Sequence, residues 1–373
     1  MESNIVDMRR LSQRQKKDGH WIHEGVVDAK TCRENGGKSS FAAAASLNFP
    51  DEWRRWIVES LLLRVPERQI VATLVENRFD PEVSAAEVAA AVAHPYVLAA
   101  RPNIHRLRKL ELMLDAHHHV ASLSRRSGVI ERRGPISRTE FLERYYSANF
   151  PVVLTGLMNN ANALTRWTPS YLKQTCGSAK VEIMAGRNKD ARYEINSQQH
   201  KRSIRFDEYV DMVTNGGPSN DYYLVANNGF LDRPETRPLL ADLSMYSEFL
   251  DPTRTNGQIF FWYGPAGTVT PLHHDLMNVW MTQIHGKKRV LLVAPDQTHL
   301  VYNRVGVYSD VDAESPDDSQ HPLFRQAQVL SVDVEPGEVL FLPVGWWHHV
   351  RSLSVSISVS YINFAFPNQF TWE

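Results

Sequence analysis

Two short stretches carry the residues best suited to chemistry, Thr270-Pro271-Leu272-His273-His274-Asp275 and Trp346-Trp347-His348-His349. Side chains two apart on a β-strand point to the same side, so His273 and Asp275 share a face if this segment is extended. His274 then points away. A third imidazole from the second stretch would complete a facial set of two imidazoles and one carboxylate. Such a set holds three neighbouring positions on an ion and leaves the others free for a cosubstrate and dioxygen, as in non-haem Fe(II) chemistry.

A lone H-x-D tripeptide is usually a turn or a surface pair, so the elements around it decide its meaning. Gln258 to Val269 reads as an apolar strand running into a Gly264-Pro265-Ala266-Gly267 turn. Lys287 to Ala294 reads as a second strand, and Gly337 to Pro343 as a third that leads into Trp346-Trp347-His348. On the last strand Ser354, Ser356, Ser358 and Ser360 alternate with Val355, Ile357, Val359 and Tyr361. One face is therefore small and polar and the other apolar. The apolar face is expected under helices and the serine face along a cavity.

The run from Phe260 to Phe364 resembles the catalytic core of the JmjC or cupin-like 2-oxoglutarate oxygenases. It is most similar to the protein hydroxylases, of the type that hydroxylates asparagine in hypoxia-inducible factor. The matching pieces are G-x-x-G-x-V-T-P-L-H-x-D at 264–275, Q-I-x-G-x-K-R at 283–289, P-D-Q at 295–297 and P-G-E-V-L-F-L-P-V-x-W-W-H-H at 336–349. A looser likeness reaches back to about residue 132.

The resemblance implies a mixed α and β protein: a double-stranded β-helix (jelly-roll/cupin) core with an all-helical module before it. It also implies Fe(II) as the metal, with 2-oxoglutarate and O2 as cosubstrates. Side-chain hydroxylation in a protein or peptide would be coupled to release of succinate and CO2. The metal ligands would be His273, Asp275 and His348; the family pattern, which sets the ligand directly after the aromatic pair, selects His348 over His349. Lys288 matches the lysine that meets the far carboxylate of the cosubstrate. Only one of the adjacent Lys287 and Lys288 can face inward, and it is Lys288 if Val290 and Leu292 line the interior. Thr270 matches a hydroxyl donor to the same carboxylate. Tyr223 stands where such proteins place a tyrosine against the cosubstrate, and Ser360 is expected nearest to it on the serine face. Some family hydroxylases carry an asparagine at the position of Val279, whereas here Asn278 comes one residue earlier. Asn278, Val279, Trp280 and Trp346 are the expected wall for substrate and O2. Two other outcomes remain open: N-methyl-lysine demethylation by the same oxidation, and a non-catalytic cupin-like metal-binding sensor.

Composition bounds the rest. The 373 residues, 43% hydrophobic and 10% aromatic, suffice for one large or two modest globular domains. A net charge of −1 exerts no global pull on nucleic acid or anionic membrane, so a protein or peptide is the expected partner. Two cysteines, Cys32 and Cys176, exclude a disulfide framework and fit a reducing cytosol. No apolar run reaches the roughly 18–20 residues of a membrane span, and the expectation is a cytoplasmic protein.

Residues 1–48 read as a polar arm, 49–128 as a helical module and 129–373 as the catalytic domain. In the arm His20, His23 and Cys32 lack a fourth zinc ligand. In the module Trp53, Trp56, Ile57 and Leu61 form one apolar stripe. Pro66 opens a second helix carrying Ile70, Val71, Leu74 and Val75 inward. Ser84 and Glu87 read as a capping box for a third helix, which stops near His94-Pro95. The module is either a packing accessory or a docking module. A fourth helix is expected over 103–124 with Leu107, Leu110, Met113 and Leu114 buried and His117-His118-His119 on the surface. Arg125 to Pro135 reads as a linker. Beyond it a helix over 139–149, a strand over 150–155, a short helix from Trp167 and a strand over 180–184 are expected. The chain ends at Glu373, soon after its last strand, so any homodimer is expected to use the N-terminal helices.

Overall fold

The computed structural model describes residues 49–226 and 229–370, with the backbone of two short strands, Lys16–Lys17 and His20–Trp21. Otherwise the expected arm, with His23, Cys32 and the side chain of His20, lies outside the described residues. Two compact units divide the chain, Met1–Leu114 and Asp115–Glu373, a boundary earlier than the expected 128/129. Among the described residues no single helix is long and apolar enough to cross a membrane.

In the first unit α1 (Asp51–Leu62), α2 (Glu67–Glu76) and α3 (Pro81–Ala93) close around Trp53, Trp56, Ile57, Leu61, Ile70, Leu74 and Val88. Val75, expected inward, is exposed. The expected capping box is displaced as well. Asp80 caps α3 by accepting from the N–H groups of Glu82 and Val83 (2.9 and 3.0 Å), and Pro81 takes the first helical position. Ser84 lies inside the helix and is buried. Asp80-Pro81 is the stronger start signal because proline's missing N–H costs nothing in the first turn. The next helix, α4 (Pro95–Ser122), begins eight residues before the expected 103 and contains Pro102. Its expected stripe is not buried: Leu107, Leu110 and Met113 are exposed and Leu114 half-buried.

The second unit is built on two six-stranded sheets. Its strands in chain order are β1 (Glu131–Arg133), β2 (Val152–Leu154), β3 (Lys180–Ala185), β4 (Lys201–Arg205), β5 (Tyr222–Tyr223), β6 (Ile259–Gly264), β7 (Val269–His273), β8 (Val279–His285), β9 (Lys288–Val293), β10 (Asn303–Val305), β11 (Tyr308–Ser309), β12 (Leu330–Val334), β13 (Val339–Leu342), β14 (Trp347–Ser352) and β15 (Ser356–Tyr361). One sheet has the order β1-β2-β13-β8-β15-β6, the other β10-β11-β7-β14-β9-β12. A small sheet, β4-β3-β5, lies beside them in sequence. The expected linker is corrected here. Part of it is β1, which pairs in parallel with β2 at one end of the first sheet. Its arginines have a partner in Glu131, which accepts from Arg126 (3.1 Å), Arg144 (2.9 Å) and Tyr145 Oη (2.7 Å). Burial pushes the Glu131 carboxyl up, but these donors outweigh it and hold the pKa at about 2.

Alternation along the strands sorts the side chains into layers. Met281 and Leu340 of the first sheet meet Val290, Leu292, Val332, Val334 and Val350 of the second between the sheets. The opposite face of the first sheet, with Phe261, Tyr263, Trp280, Ile357, Val359 and Tyr361, packs under Phe141, Trp167, Phe206 and Phe230. The expected split of the last strand is therefore observed: Ile357, Val359 and Tyr361 lie under the helices, while Ser356, Ser358 and Ser360 take the other face, all buried. The chain crosses from β8 in the first sheet to β9 in the second through Gly286 (φ 68°), where a Cβ would lie 1.9 Å from the Val355 carbonyl oxygen. Lys288 pairs with Val334 of β12 and Ser352 of β14.

Candidate metal and cosubstrate site

β7 and β14 are antiparallel neighbours with His273 opposite His348 and Thr270 opposite Val350. Three residues on one strand thus span two on the other, a bulge at Pro271-Leu272. The bulge lets Thr270 and His273, of opposite parity, both face the interior, and it sends Leu272 to the outer cluster with Trp347 and Val293. His273 Nδ1–H donates to the Pro271 carbonyl (2.8 Å) and His348 Nδ1–H to the Trp346 carbonyl (2.9 Å). With Nδ1 so engaged, Nε2 of each ring carries the lone pair a metal needs. Burial pushes the pKa of His348 down to about 4, His273 adds to this and Asp275 opposes it, so the ring is neutral at physiological pH.

One ligand atom each from His273, Asp275 and His348 lies within 4.8 Å of the others, and His348 Nε2 is 3.6 Å from Asp275 Oδ2. Ligands about 2.1 Å from one ion at right angles lie roughly 3 Å apart, so small rotations would close the set on a metal. The Gly345 N–H donates to the Asp275 carbonyl (3.1 Å), tying the two ligand-bearing loops together. His274 stacks edge-on against Trp347 (4.7 Å), on the outer side, as its parity requires. His349 is also turned outward, its Nε2 3.5 Å from Glu314.

Lys288 is buried beyond the triad, on the inward face shared with Val290 and Leu292. Its Nζ donates to Ser358 Oγ (2.6 Å) and Tyr223 Oη (3.2 Å) and stands 5.7 Å from the Trp262 ring centre. Burial pushes its pKa down to about 7. No carboxylate pairs with it among the described residues. Tyr223 reaches the lysine because position 264 is glycine: a Cβ there would lie 2.6 Å from the tyrosine ring.

The remaining expected positions divide. Ser358, not Ser360, meets Lys288; the Ser360 hydroxyl accepts from Trp262 Nε1 (3.0 Å). Trp280 is turned to the outer face, stacked on Phe249 and edge-on to Phe141, and contributes to the helical layer, not to the pocket. Asn278 spends its side-chain oxygen on the Val344 N–H (2.8 Å), and its backbone is clasped by Asn368 (2.8 and 3.0 Å). It is a brace for the loop before β14. Val279 packs with the inter-sheet cluster, and Trp346 lies in that cluster with its Nε1 on the Asn149 carbonyl. Sequence reading put Ser358 on the cavity face without singling it out, and missed Trp262 and Tyr308, whose ring faces His273 (5.8 Å). Strand alternation contains the signal for Ser358 and Trp262; Tyr308 sits on a two-residue strand with no period to read.

A family description of cupin-like domains matches residues 138–369, more than half of the chain. The chain belongs to this cupin-like domain family. Relatives include Lysine-specific demethylase 8 of Xenopus tropicalis, 31% identical over 60% of this chain and 50% of that protein. Lysine-specific demethylase JMJ30 of Arabidopsis thaliana is 30% identical over 62% and 54%. The human tRNA wybutosine-synthesizing protein 5 is 27% identical over 62% and 76%. The chain spans about half the length of the two demethylases.

Proposed function

We propose that the chain is an Fe(II)- and 2-oxoglutarate-dependent oxygenase that hydroxylates a side chain in a protein or peptide. The observation that carries this is a buried lysine with no acidic partner among the described residues, set in the same interior as a two-histidine, one-carboxylate group. A buried cation without an anion is costly, and a ligand carboxylate would relieve that cost by charge-assisted hydrogen bonds. Lys288, Ser358 and Tyr223 would hold the far carboxylate of 2-oxoglutarate, with Thr270 beside them. His273, Asp275 and His348 would hold the iron. When bound, iron would bring O2 together with 2-oxoglutarate, so that one oxygen atom would end in succinate with loss of CO2 and the other in the hydroxylated side chain. The protein's own part is to fix both imidazoles through backbone carbonyls, to bury His348 as a neutral ring and to exclude water around Lys288.

The family match does not reach as far as the asparaginyl-hydroxylase branch, and side-chain hydroxylation in general is proposed. The names of two relatives favour a second reading, N-methyl-lysine demethylation. A non-catalytic sensor has no use for Lys288. The test is succinate release from 2-oxoglutarate by the iron-loaded protein, then mass spectrometry of candidate peptides. One added oxygen atom supports hydroxylation, formaldehyde release supports demethylation, and absence of succinate refutes both.

A further inference from the structure

Val269, the residue before Thr270, lies on a stretch of β7 that has no strand on one side among the described residues, because β11 meets β7 only at His273. Side chains close this edge. The Val269 N–H donates to Asn220 Oδ1 (2.8 Å), while its carbonyl accepts from both Arg187 Nη2 (2.5 Å) and Tyr193 Oη (3.1 Å). Arg187 is fully buried, pairs with Glu194 (3.0 Å), stacks on the Tyr193 ring (4.1 Å) and stands 5.4 Å from the Tyr223 ring. One guanidinium therefore touches the backbone next to Thr270 and flanks the tyrosine that meets Lys288.

From this geometry we infer that Arg187 is a positioning residue for the cosubstrate carboxylate, acting through the Val269 carbonyl and the Tyr223 ring. The inference rests on the oxygenase reading. A planar, forked cation is needed, since lysine could keep the charge but not bond Glu194 and Val269 while stacking on a ring. The metal ligands are anchored separately, by the Pro271 and Trp346 carbonyls. Loss of Arg187 should therefore weaken cosubstrate binding and leave metal binding in place.

The test measures 2-oxoglutarate binding by calorimetry on the Ni(II)-loaded full chain, with metal titration and thermal unfolding of the metal-free chain as separate readouts. If the whole of one charge-assisted bond, about 1.5 kcal/mol, goes into holding the pocket in its binding conformation, Arg187→Lys weakens 2-oxoglutarate binding by up to roughly tenfold. For Tyr193→Phe, which keeps the ring and loses one neutral donor, about threefold is expected. Nickel affinity should stay within twofold of wild type in both. If Arg187→Lys does not fold, Tyr193→Phe decides alone. Unchanged 2-oxoglutarate affinity in the folded variants overturns the inference, as does a parallel loss of metal affinity and thermal stability. If the wild-type chain itself binds no 2-oxoglutarate, the oxygenase reading has failed instead.

Discussion

Replacing Lys288 with methionine should raise the stability of the ligand-free protein and abolish cosubstrate binding. The two effects have one cause. In the folded chain the ammonium has a pKa of about 7 against an ordinary 10.5. The folded state thus binds this proton more weakly than the unfolded chain does, and charging the buried group near neutral pH costs about 4 kcal/mol. Methionine removes that cost. It also leaves the Ser358 and Tyr223 hydroxyls without the lysine, for a loss of about 1 kcal/mol each. The net gain is about 2 kcal/mol, or roughly 5 °C in unfolding midpoint for a unit of this size. The sign with pH follows from the same linkage. Between pH 7 and 10.5 the unfolded chain carries the proton and the folded chain does not, so wild-type stability climbs with pH across that window. The methionine variant should lack this contribution. For 2-oxoglutarate the effect reverses, because the ligand carboxylate would be buried with no cation; about 3–5 kcal/mol is lost, a hundredfold or more in affinity. Thermal unfolding from pH 6.5 to 9.5 and calorimetric titration of the metal-loaded protein check both halves. A variant that binds 2-oxoglutarate like wild type, or that unfolds at a lower temperature at pH 7, would refute the reasoning.

Other outcomes follow from the same geometry. Alanine at His273, Asp275 or His348 should abolish metal binding and succinate formation, whereas His274→Ala, on the outer side against Trp347, should keep both; metal titration and a succinate assay distinguish them. Gly264→Ala would drive a methyl group into the Tyr223 ring at 2.6 Å, and should raise the KM for 2-oxoglutarate more than it lowers metal affinity. Asn278→Ala should cost about 1–3 kcal/mol in denaturant unfolding by leaving the Val344 N–H unpaired. Because the brace sits outside the ion-binding set, intrinsic metal affinity in the folded fraction should not change.

Which parts of this molecule were legible in the sequence depends on the element that carries them. A strand repeats every two residues, so one known inward residue assigns its neighbours. That logic placed Lys288 with Val290 and Leu292, put the serines of β15 opposite Ile357, Val359 and Tyr361, and turned His274 away from Asp275. It broke where the strand itself is irregular. Thr270 and His273 should lie on opposite faces by parity, and only the Pro271-Leu272 bulge, visible in the register against Val350 and His348, turns both inward. Resemblance points to Thr270 as a hydroxyl donor, a choice alternation alone does not make. The same alternation left Ser358 and Ser360 equivalent, because both share a face; distance from Lys288 separates them, and distance follows from pairing.

Asn278 and Trp280 show the complementary failure. Their closeness to Asp275 in sequence made them look like pocket residues, yet β8 alternates too, and Met281, between the sheets, forces Trp280 to the outer face. The helices were harder still. An apolar stripe specifies a face but not what covers it, so Leu107, Leu110 and Met113 match a buried pattern and are exposed in α4. Arg187 and Tyr193 stand on a 3-10 segment and a turn with no period, and nothing in their spacing announces Val269. Yet they stand where the second sheet lacks a strand, and an open edge next to buried chemistry must be closed by some donor. A cosubstrate pocket lined from β-strands thus depends on irregular segments at the one place where the sheet stops. A substitution there, far from the metal in sequence, should be read in 2-oxoglutarate affinity before it is read in stability.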